Sequence, residues 1–302
     1  MAKQVIRVGP AGWSYKDWEG IVYPEKPGKK FDPLEYLAGF FNTIEINSSF
    51  YRPPAVSTTK SWVQRVSQNR KFSFSAKLNR VFTHERGKAT AKDERDFRKG
   101  FDVLAGAGKL GALLLQFPWS FKNTLENRQY LAGLFMRFAE FPLVTEVRHG
   151  SWNQASGLSF FADHIVGFCN IDQPVIGRSL APSANVTGPV GYVRLHGRNY
   201  ETWFAQSGGV EMRYDYLYND HELNEWQKRI RKVAASSHET YVILNNHYQG
   251  KAVVNALQIR AKMERRRVAV PENLASFYPQ LHEIAQRPET LPLETAEPFT
   301  LI

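Results

Sequence analysis

The sequence predicts an α/β fold, a single (β/α)8 barrel of the TIM-barrel type. Short runs rich in Val, Ile, Leu and Phe alternate with amphipathic helical stretches, which favours a parallel sheet. Eight such runs occur, and eight is the number of strands that closes this kind of sheet into a barrel. A chain of 302 residues is normal for one barrel, so a second domain is not required.

The strand predictions follow from apolar, β-branched runs bounded by turn residues. In chain order they cover Val5–Gly9, Thr43–Asn47, Phe72–Lys77, Ala112–Phe117, Leu143–Arg148, Gly167–Asp172, Gly191–His196 and Tyr241–Asn245.

The helix predictions follow from apolar residues at helical spacing and from start signals. Asp32 caps the first helix, and Pro33 occupies the first helical position, where a missing N–H does no harm. The remaining predicted helices cover Thr58–Ser67, Lys92–Leu104, Leu125–Glu140, Gly157–His164, Glu222–Ala235 and Lys251–Met263. Between Asp172 and Gly191 prolines replace any helical pattern, so the helix after the sixth strand is predicted to be short or missing. We expect the barrel to span residues 1–265, with 266–302 forming an extension packed on it.

The composition excludes several classes of protein. Apolar residues make up 43% and charged residues 23%, which is typical of a globular chain. Cys169 is the one cysteine, so no intrachain disulfide can form and a reducing, cytoplasmic location is expected. No secretory leader is apparent at the start, and no run approaches the ~18 apolar residues of a membrane span. The composition predicts no membrane partner and no particular oligomeric state.

The net charge is +10, and most of the excess is concentrated in one stretch. Between Lys60 and Lys109 there are 13 Lys and Arg against 5 Asp and Glu. Such a surface attracts anions, nucleic acids among them, but solvated helix faces give the same composition. The charge therefore permits nucleic-acid binding without indicating it.

Alternation along the strands predicts which side chains enter the barrel. In every strand one face packs on the helices and the other points inward. If the apolar side chains pack on the helices, the polar side chains between them point into the barrel. They lie near the carboxyl ends of the strands, where barrel enzymes carry their active sites. This set contains Glu45, Asn47, Lys77, Gln116, Glu146, Arg148, Asp172, Arg194, His196 and Asn245. Cys169 falls on the outward face. Trp13 and Tyr51 lie in the connecting loops and could stack on a sugar or a base.

Several motifs together resemble the YecE-like family, domain of unknown function 72. They are GWSYKDW at 12–18, EINSSFY at 45–51, THER at 83–86, QFP at 116–118, EVRH at 146–149, YVRLHGR at 192–198 and the Asn245-Asn246 pair. The resemblance implies a TIM barrel and no settled activity. The family tends to carry Asp after the Asn pair, whereas this chain has His247.

These observations favour an enzyme acting on a small anionic, phosphorylated or sugar-like substrate by general acid/base chemistry. Glu45, Glu146 and His196 are the predicted catalytic residues. The other inward residues, with Trp13 and Tyr51, are predicted to bind the ligand, and Arg148 and Arg194 to hold its anionic group from two sides. Two of the carboxylates could instead cleave a glycoside.

Two alternatives remain open at this stage. One is a metal-dependent nucleic-acid phosphodiesterase, with Glu45, Glu146, Asp172 and His196 around a divalent cation, or a nucleic-acid-binding protein. Against a metal site, three inward cations would repel the ion. The other alternative is a non-catalytic ligand-binding barrel. No metal ligand or cofactor is predicted, although a divalent metal stays possible.

Overall fold

Eight parallel strands form one sheet that curls into a nearly closed barrel with helices between the strands. The structure, a computed structural model, describes residues 4–201, 203 and 210–286. The strands are β1 Val5–Pro10, β2 Glu45–Ile46, β3 Phe74–Lys77, β4 Leu110–Gln116, β5 Leu143–Glu146, β6 Gly167–Asp172, β7 Val190–Leu195 and β8 Glu239–Leu244.

The strand order is β1-β8-β7-β6-β5-β4-β3-β2, with every neighbouring pair parallel. The two end strands meet through one bridge, Ala11 to Glu45, where the Gly12 N–H donates to the Glu45 carbonyl at 2.9 Å. This contact brings the end of β1 against β2 and nearly closes the barrel. The predicted (β/α)8 barrel is confirmed, and the strand bounds differ from the prediction by a few residues.

The α-helices of the described residues begin and end close to the predicted positions. They are α1 Pro33–Phe40, α2 Val56–Arg65, α3 Arg80–Thr83, α4 Ala91–Gly106, α5 Leu125–Arg137, α6 Ala155–Asp163, α7 Asp220–Ala235, α8 Lys251–Glu264 and α9 Glu272–Phe277. The short helices α3 and α9 have no counterpart in the sequence prediction. Residues 173–189 contain no helix, so the predicted gap after β6 is confirmed.

Side-chain caps fix where several helices start. Asp32 accepts the Glu35 N–H at 2.9 Å, as its position before Pro33 predicts. Thr90 with Asp93, and Asn219 with Glu222, form reciprocal capping boxes at α4 and α7. Each cap satisfies backbone N–H groups that have no partner within the helix.

Aromatic side chains fill the lower barrel interior, toward the amino ends of the strands. Tyr192 and Tyr241 stack with ring centroids 6.1 Å apart. The Tyr241 hydroxyl donates to Glu239, and Arg7 forms an ion pair with the same Glu239. Only a glycine fits at position 111, because a Cβ there would lie 1.6 Å from the Tyr241 hydroxyl. The interior is thus filled below, which leaves the other end of the barrel for a site.

The described part of the C-terminal extension packs against the barrel. Leu274 and Leu281 are fully buried, and the Tyr278 hydroxyl donates to the Gln249 carbonyl at 2.8 Å. The boundary at residue 265 stays a prediction, and 287–302 lie outside the described residues. Among those described, no helix is both long and apolar enough to cross a membrane.

Candidate functional site

Arg194 lies at the centre of a polar group of side chains inside the upper barrel. Its side chain is fully buried, and the five N–H donors of a guanidinium all find partners here. Nε and Nη2 donate to Glu45 at 3.1 and 2.8 Å, and Nη2 also donates to Asn245 at 3.1 Å. Nη1 donates to Gln116 at 3.1 Å and to Glu146 at 2.9 Å. Arg194 therefore has no donor left for a ligand, which corrects its predicted anion-binding role.

Glu146 is the second carboxylate of this group, and three basic side chains surround it. Arg148 donates to Oε1 from Nε at 3.1 Å and from Nη2 at 3.0 Å, while Arg194 occupies Oε2. Burial alone would raise the pKa of the Glu146 carboxyl, but Arg194, His196 and Arg148 hold that pKa well below its usual range. Glu146 is therefore a weak base that stays ionised at neutral pH.

His196 is fixed in one neutral tautomer. The Asn245 amide oxygen accepts from Arg194, so its NH₂ group faces His196 Nδ1 at 3.1 Å and donates to it. The proton then sits on Nε2, which lies 3.3 Å from Glu146 Oε1. Burial first, and then the neighbouring arginines, lower the pKa of His196 to about 3. Both ring nitrogens are engaged with protein groups, so His196 positions Glu146 and does not face a ligand as predicted.

Lys77 and Glu45 form the looser pair of the site. Lys77 ends β3, and its side chain is 13% exposed, whereas Glu45 is fully buried. The distance from Nζ to Glu45 Oε1 is 4.0 Å. Glu45 is held on its other side by Arg194 and by the Tyr192 hydroxyl at 2.9 Å. Burial, and next Arg194, lower the pKa of Lys77 to about 7. Lys77 therefore exchanges protons near neutral pH.

Asn47 presents an unsatisfied acceptor at the rim of the barrel. The Tyr15 hydroxyl donates to the Ala11 carbonyl at 2.7 Å, so it can only accept from the Asn47 amide NH₂ at 3.3 Å. The Asn47 oxygen is buried and has no hydrogen-bond partner within the described part of the chain. His247, at the position where the family tends to carry Asp, stacks on the Tyr15 ring at 4.5 Å.

The aromatic residues divide between the site and its surroundings. Trp13 packs edge-on against Trp62 at 5.5 Å and so belongs to the layer between barrel and helices. Tyr51 is 71% exposed and contacts Phe50. Neither reaches the polar interior, so the structure does not support their predicted ligand contacts. Trp203 does lie at the site, 5.9 Å below the Arg148 guanidinium.

In strand β6 the side chains that point into the barrel are the ones that were predicted to point outward, and the reverse. Its register places Ile171 beside the inward Arg194, so Asn170 and Asp172 point to the outer layer. Asp172 binds Arg198 at 2.9 Å and the Trp226 indole N–H at 2.6 Å. Cys169 points inward, is fully buried, and burial raises the pKa of its thiol. Asp172 is therefore outside the site, because outer-layer partners satisfy its charge.

Comparison with known proteins assigns the chain to a family. The model for "Protein of unknown function DUF72" matches residues 7–279, which is nearly the whole sequence. The chain belongs to the DUF72 family.

Relatives of this DUF72 protein match it over most of their length. It is 29% identical over 275 residues to the UPF0759 protein YunF of Bacillus subtilis (strain 168), covering 84% of this chain and 93% of YunF. A DUF72 structure from Thermotoga maritima MSB8 has 32% identity and a TM-score of 0.75, covering 86% of this chain and 99% of that one. One from Enterococcus faecalis V583 has 27% identity and a TM-score of 0.75, covering 86% and 96%.

Several residues of this DUF72 site were not among the predicted catalytic and ligand-binding residues. Tyr15 and Tyr192 contact Asn47 and Glu45 through their hydroxyl groups, and His247 stacks against Tyr15. The alternation that placed Arg194 inward also places Tyr192 inward, so that residue could have been found. Tyr15 and His247 lie in loops, where no periodicity indicates direction.

A metal site is not formed by the described residues. No three His, Cys, Asp or Glu side chains among them are arranged to hold an ion. Of the four ligands considered from sequence, Asp172 lies outside the barrel, Glu45 and Glu146 are engaged with Arg194, and His196 is engaged with Glu146 and Asn245. The donor set therefore does not fit a divalent cation.

Proposed function

We propose that this protein is an enzyme that binds a small anionic or sugar-like molecule at the carboxyl ends of the strands and transfers protons to or from it. One observation carries the proposal: the upper barrel leaves unsatisfied groups beside a fully satisfied core. Lys77 Nζ has no hydrogen bond within the described residues, Asn47 has a buried free oxygen, and Arg148 leaves Nη1 unused. A bound polar molecule would satisfy the two donors, Lys77 Nζ and Arg148 Nη1.

The charge balance of the site supports an anionic ligand. Arg148 and Arg194 neutralise Glu45 and Glu146, and Lys77 then supplies a further positive charge in its protonated form. An anion would be attracted to this excess, and Arg148, whose side chain is 18% exposed, offers it a guanidinium edge.

Proton transfer is assigned to Lys77, with Glu45 as its neighbour. A group with a pKa of about 7 is suited to general acid/base catalysis near neutral pH. Glu146, whose pKa is low, and His196, whose proton faces Glu146, are assigned to positioning. In this proposal the side chains of this chain carry out the proton transfer.

The alternatives receive less support. Glycoside cleavage needs a protonated carboxyl group, and Glu146 is ionised. Within the basic stretch many cations are paired with acids, such as Arg65 with Asp32 at 2.7 Å and Arg98 with Glu94 at 3.0 Å. Pairing lowers the attraction to a nucleic-acid backbone. Nucleic-acid binding and a purely ligand-binding role are alternatives that experiments have to test.

We also propose a reducing, cytoplasmic location, supported by the buried free thiol of Cys169.

Binding of an anion is tested by thermal unfolding with inorganic phosphate and with phosphorylated and unphosphorylated sugars. At ~100 times Kd, a ligand should raise the free energy of unfolding by about 2.7 kcal/mol. Arg148→Met should remove this shift, because a thioether cannot donate to an oxyanion.

Arg65→Met is the matched control, since Arg65 also forms one ion pair but lies at the far end of α2. It should keep the shift. A shift that survives in Arg148→Met would place the anion elsewhere, and no shift in the wild-type protein would overturn the proposal.

A further inference from the structure

Lys77 is placed as a nucleophile rather than as a structural cation. It ends β3 at the site face, and its amine is surrounded by groups that do not hydrogen-bond it. The nearest acceptor, Glu45 Oε1, lies 4.0 Å from Nζ, and the Phe50 ring lies 5.7 Å away. A structural lysine in the same protein looks different: Lys109 Nζ donates to the carbonyls of Asn69 and Phe72 at 3.1 and 3.0 Å.

The charges facing Lys77 come from several elements of the barrel. They are Glu45 on β2, Glu146 with Arg148 on and after β5, Arg194 on β7, His84 after α3, and His247 after β8. Desolvation and the two arginines favour the neutral amine, and the two carboxylates oppose them. At neutral pH a substantial fraction of Lys77 therefore carries the lone pair that a nucleophile requires.

We propose that Lys77 forms an iminium (Schiff base) with the carbonyl carbon of a small anionic aldehyde or ketone. This inference rests on the proposed function, since it names the substrate class of the same site. The carbonyl carbon would meet Nζ while the anionic group meets the free edge of Arg148.

The step balances without an external reagent. The Lys77 ammonium first gives a proton to Glu45, and the Nζ lone pair then attacks the carbonyl carbon. The carbonyl π pair moves to oxygen, which takes a second proton released from nitrogen. The carbinolamine then expels its hydroxyl, which takes the first proton back from Glu45 and leaves as water while the C=N bond forms. Overall a lysine ammonium and a carbonyl compound give an iminium and water, with no change in charge. Glu45, the carboxylate closest to Nζ, is placed to relay the proton.

Reductive trapping tests the proposal on the intact protein. The protein is incubated with pyruvate or dihydroxyacetone phosphate at pH 7 in the presence of sodium cyanoborohydride, and peptides are mapped by mass spectrometry. An amine with a pKa of about 7 is half unprotonated, roughly a thousandfold more than an exposed lysine with a pKa of ~10.4. Labelling is therefore expected at Lys77, and more strongly than with acetone, which lacks the anion.

Lys109 is the internal control of the same experiment. Burial also lowers its pKa, but its amine is occupied by carbonyls at the other end of the barrel. Labelling of Lys109 equal to that of Lys77 would overturn the proposal, because it would reflect amine basicity alone.

Lys77→Arg separates this inference from the proposed function. Arginine keeps the charge but cannot form the iminium, so labelling should vanish, and stabilisation by inorganic phosphate is measured on the wild-type protein. A wild-type protein that phosphate stabilises but that is not trapped would overturn the Schiff base and leave the proposed function standing. A protein neither stabilised nor trapped would overturn both.

Discussion

Lys77 is an ionisable residue in the barrel interior, and none of the described residues hydrogen-bonds its amine. Its folded pKa of about 7 lies below the ordinary value of 10.5. The folded protein therefore binds fewer protons than the unfolded chain between these values, and stability rises with pH across that window. Below pH 7 the full cost of burying the ammonium opposes folding. Keeping such a residue lowers the free energy of unfolding, a cost that is typical of residues kept for their reactivity.

Lys77→Met is expected to stabilise the protein, because it removes a poorly paired buried charge while Glu45 keeps Arg194. The gain should be about 1–4 kcal/mol at pH 6 and should shrink as the pH approaches 10. Urea unfolding at several pH values measures it. Lys109→Met should lose stability instead, since the carbonyls of Asn69 and Phe72 lose the ammonium that donates to them. A Lys77→Met protein that is less stable at pH 6 would mean that Lys77 is a structural ion pair.

Strand β6 shows how far alternation along a strand can predict a site. In β2, β3, β5 and β7 the polar residues at alternate positions do point inward, and Glu45, Lys77, Glu146 and Arg194 meet as expected. The rule assumes that the outer face packs on an apolar helix. After β6 an extended segment, 173–189, replaces that helix and offers polar partners, so Asn170 turns outward.

Other parts of the site could not be predicted from alternation at all. Periodicity indicates direction only inside regular elements, so it could not show that the loop residues Tyr15 and His247 face the site. Periodicity also does not tell a free donor from a satisfied one. Arg194 and Arg148 look alike in sequence, yet only the contacts separate a filled guanidinium from one with an open edge.

Asn170 is predicted to hold the segment 173–189 against β6. Its side chain donates to the Asn185 carbonyl at 2.9 Å and accepts the Asn185 N–H at 2.7 Å. Asn170→Ala should cost about 2–4 kcal/mol, because buried backbone groups lose their partners. Amide hydrogen exchange should speed up first within 173–189. The control Asn224→Ala should change little, since Asn224 bonds only to the side chains of Asp220 and Lys262. Unchanged exchange in Asn170→Ala would show that other contacts hold the segment.

For the whole molecule, the described part of the extension and the barrel are expected to unfold together. Leu281 is fully buried in that extension, and Asn273 donates to the Tyr23 carbonyl at 3.0 Å in the loop after β1. Leu281→Ala should lower the free energy of unfolding by about 2–5 kcal/mol in a single transition. Calorimetry measures both. Two separate transitions would instead show that the barrel folds without residues 266–286.

The contacts of Arg194 also limit how this group of residues can vary during evolution. Four side chains, three on strands and one directly after β8, hydrogen-bond one guanidinium. Loss of any of them leaves a buried donor or charge of this group unpaired. Single replacements among Glu45, Gln116, Glu146 and Asn245 are then each harmful, while the effects of combined replacements are not additive. Such a set is expected to pass between lineages intact or to be lost together, and the freely varying positions should be those at the rim.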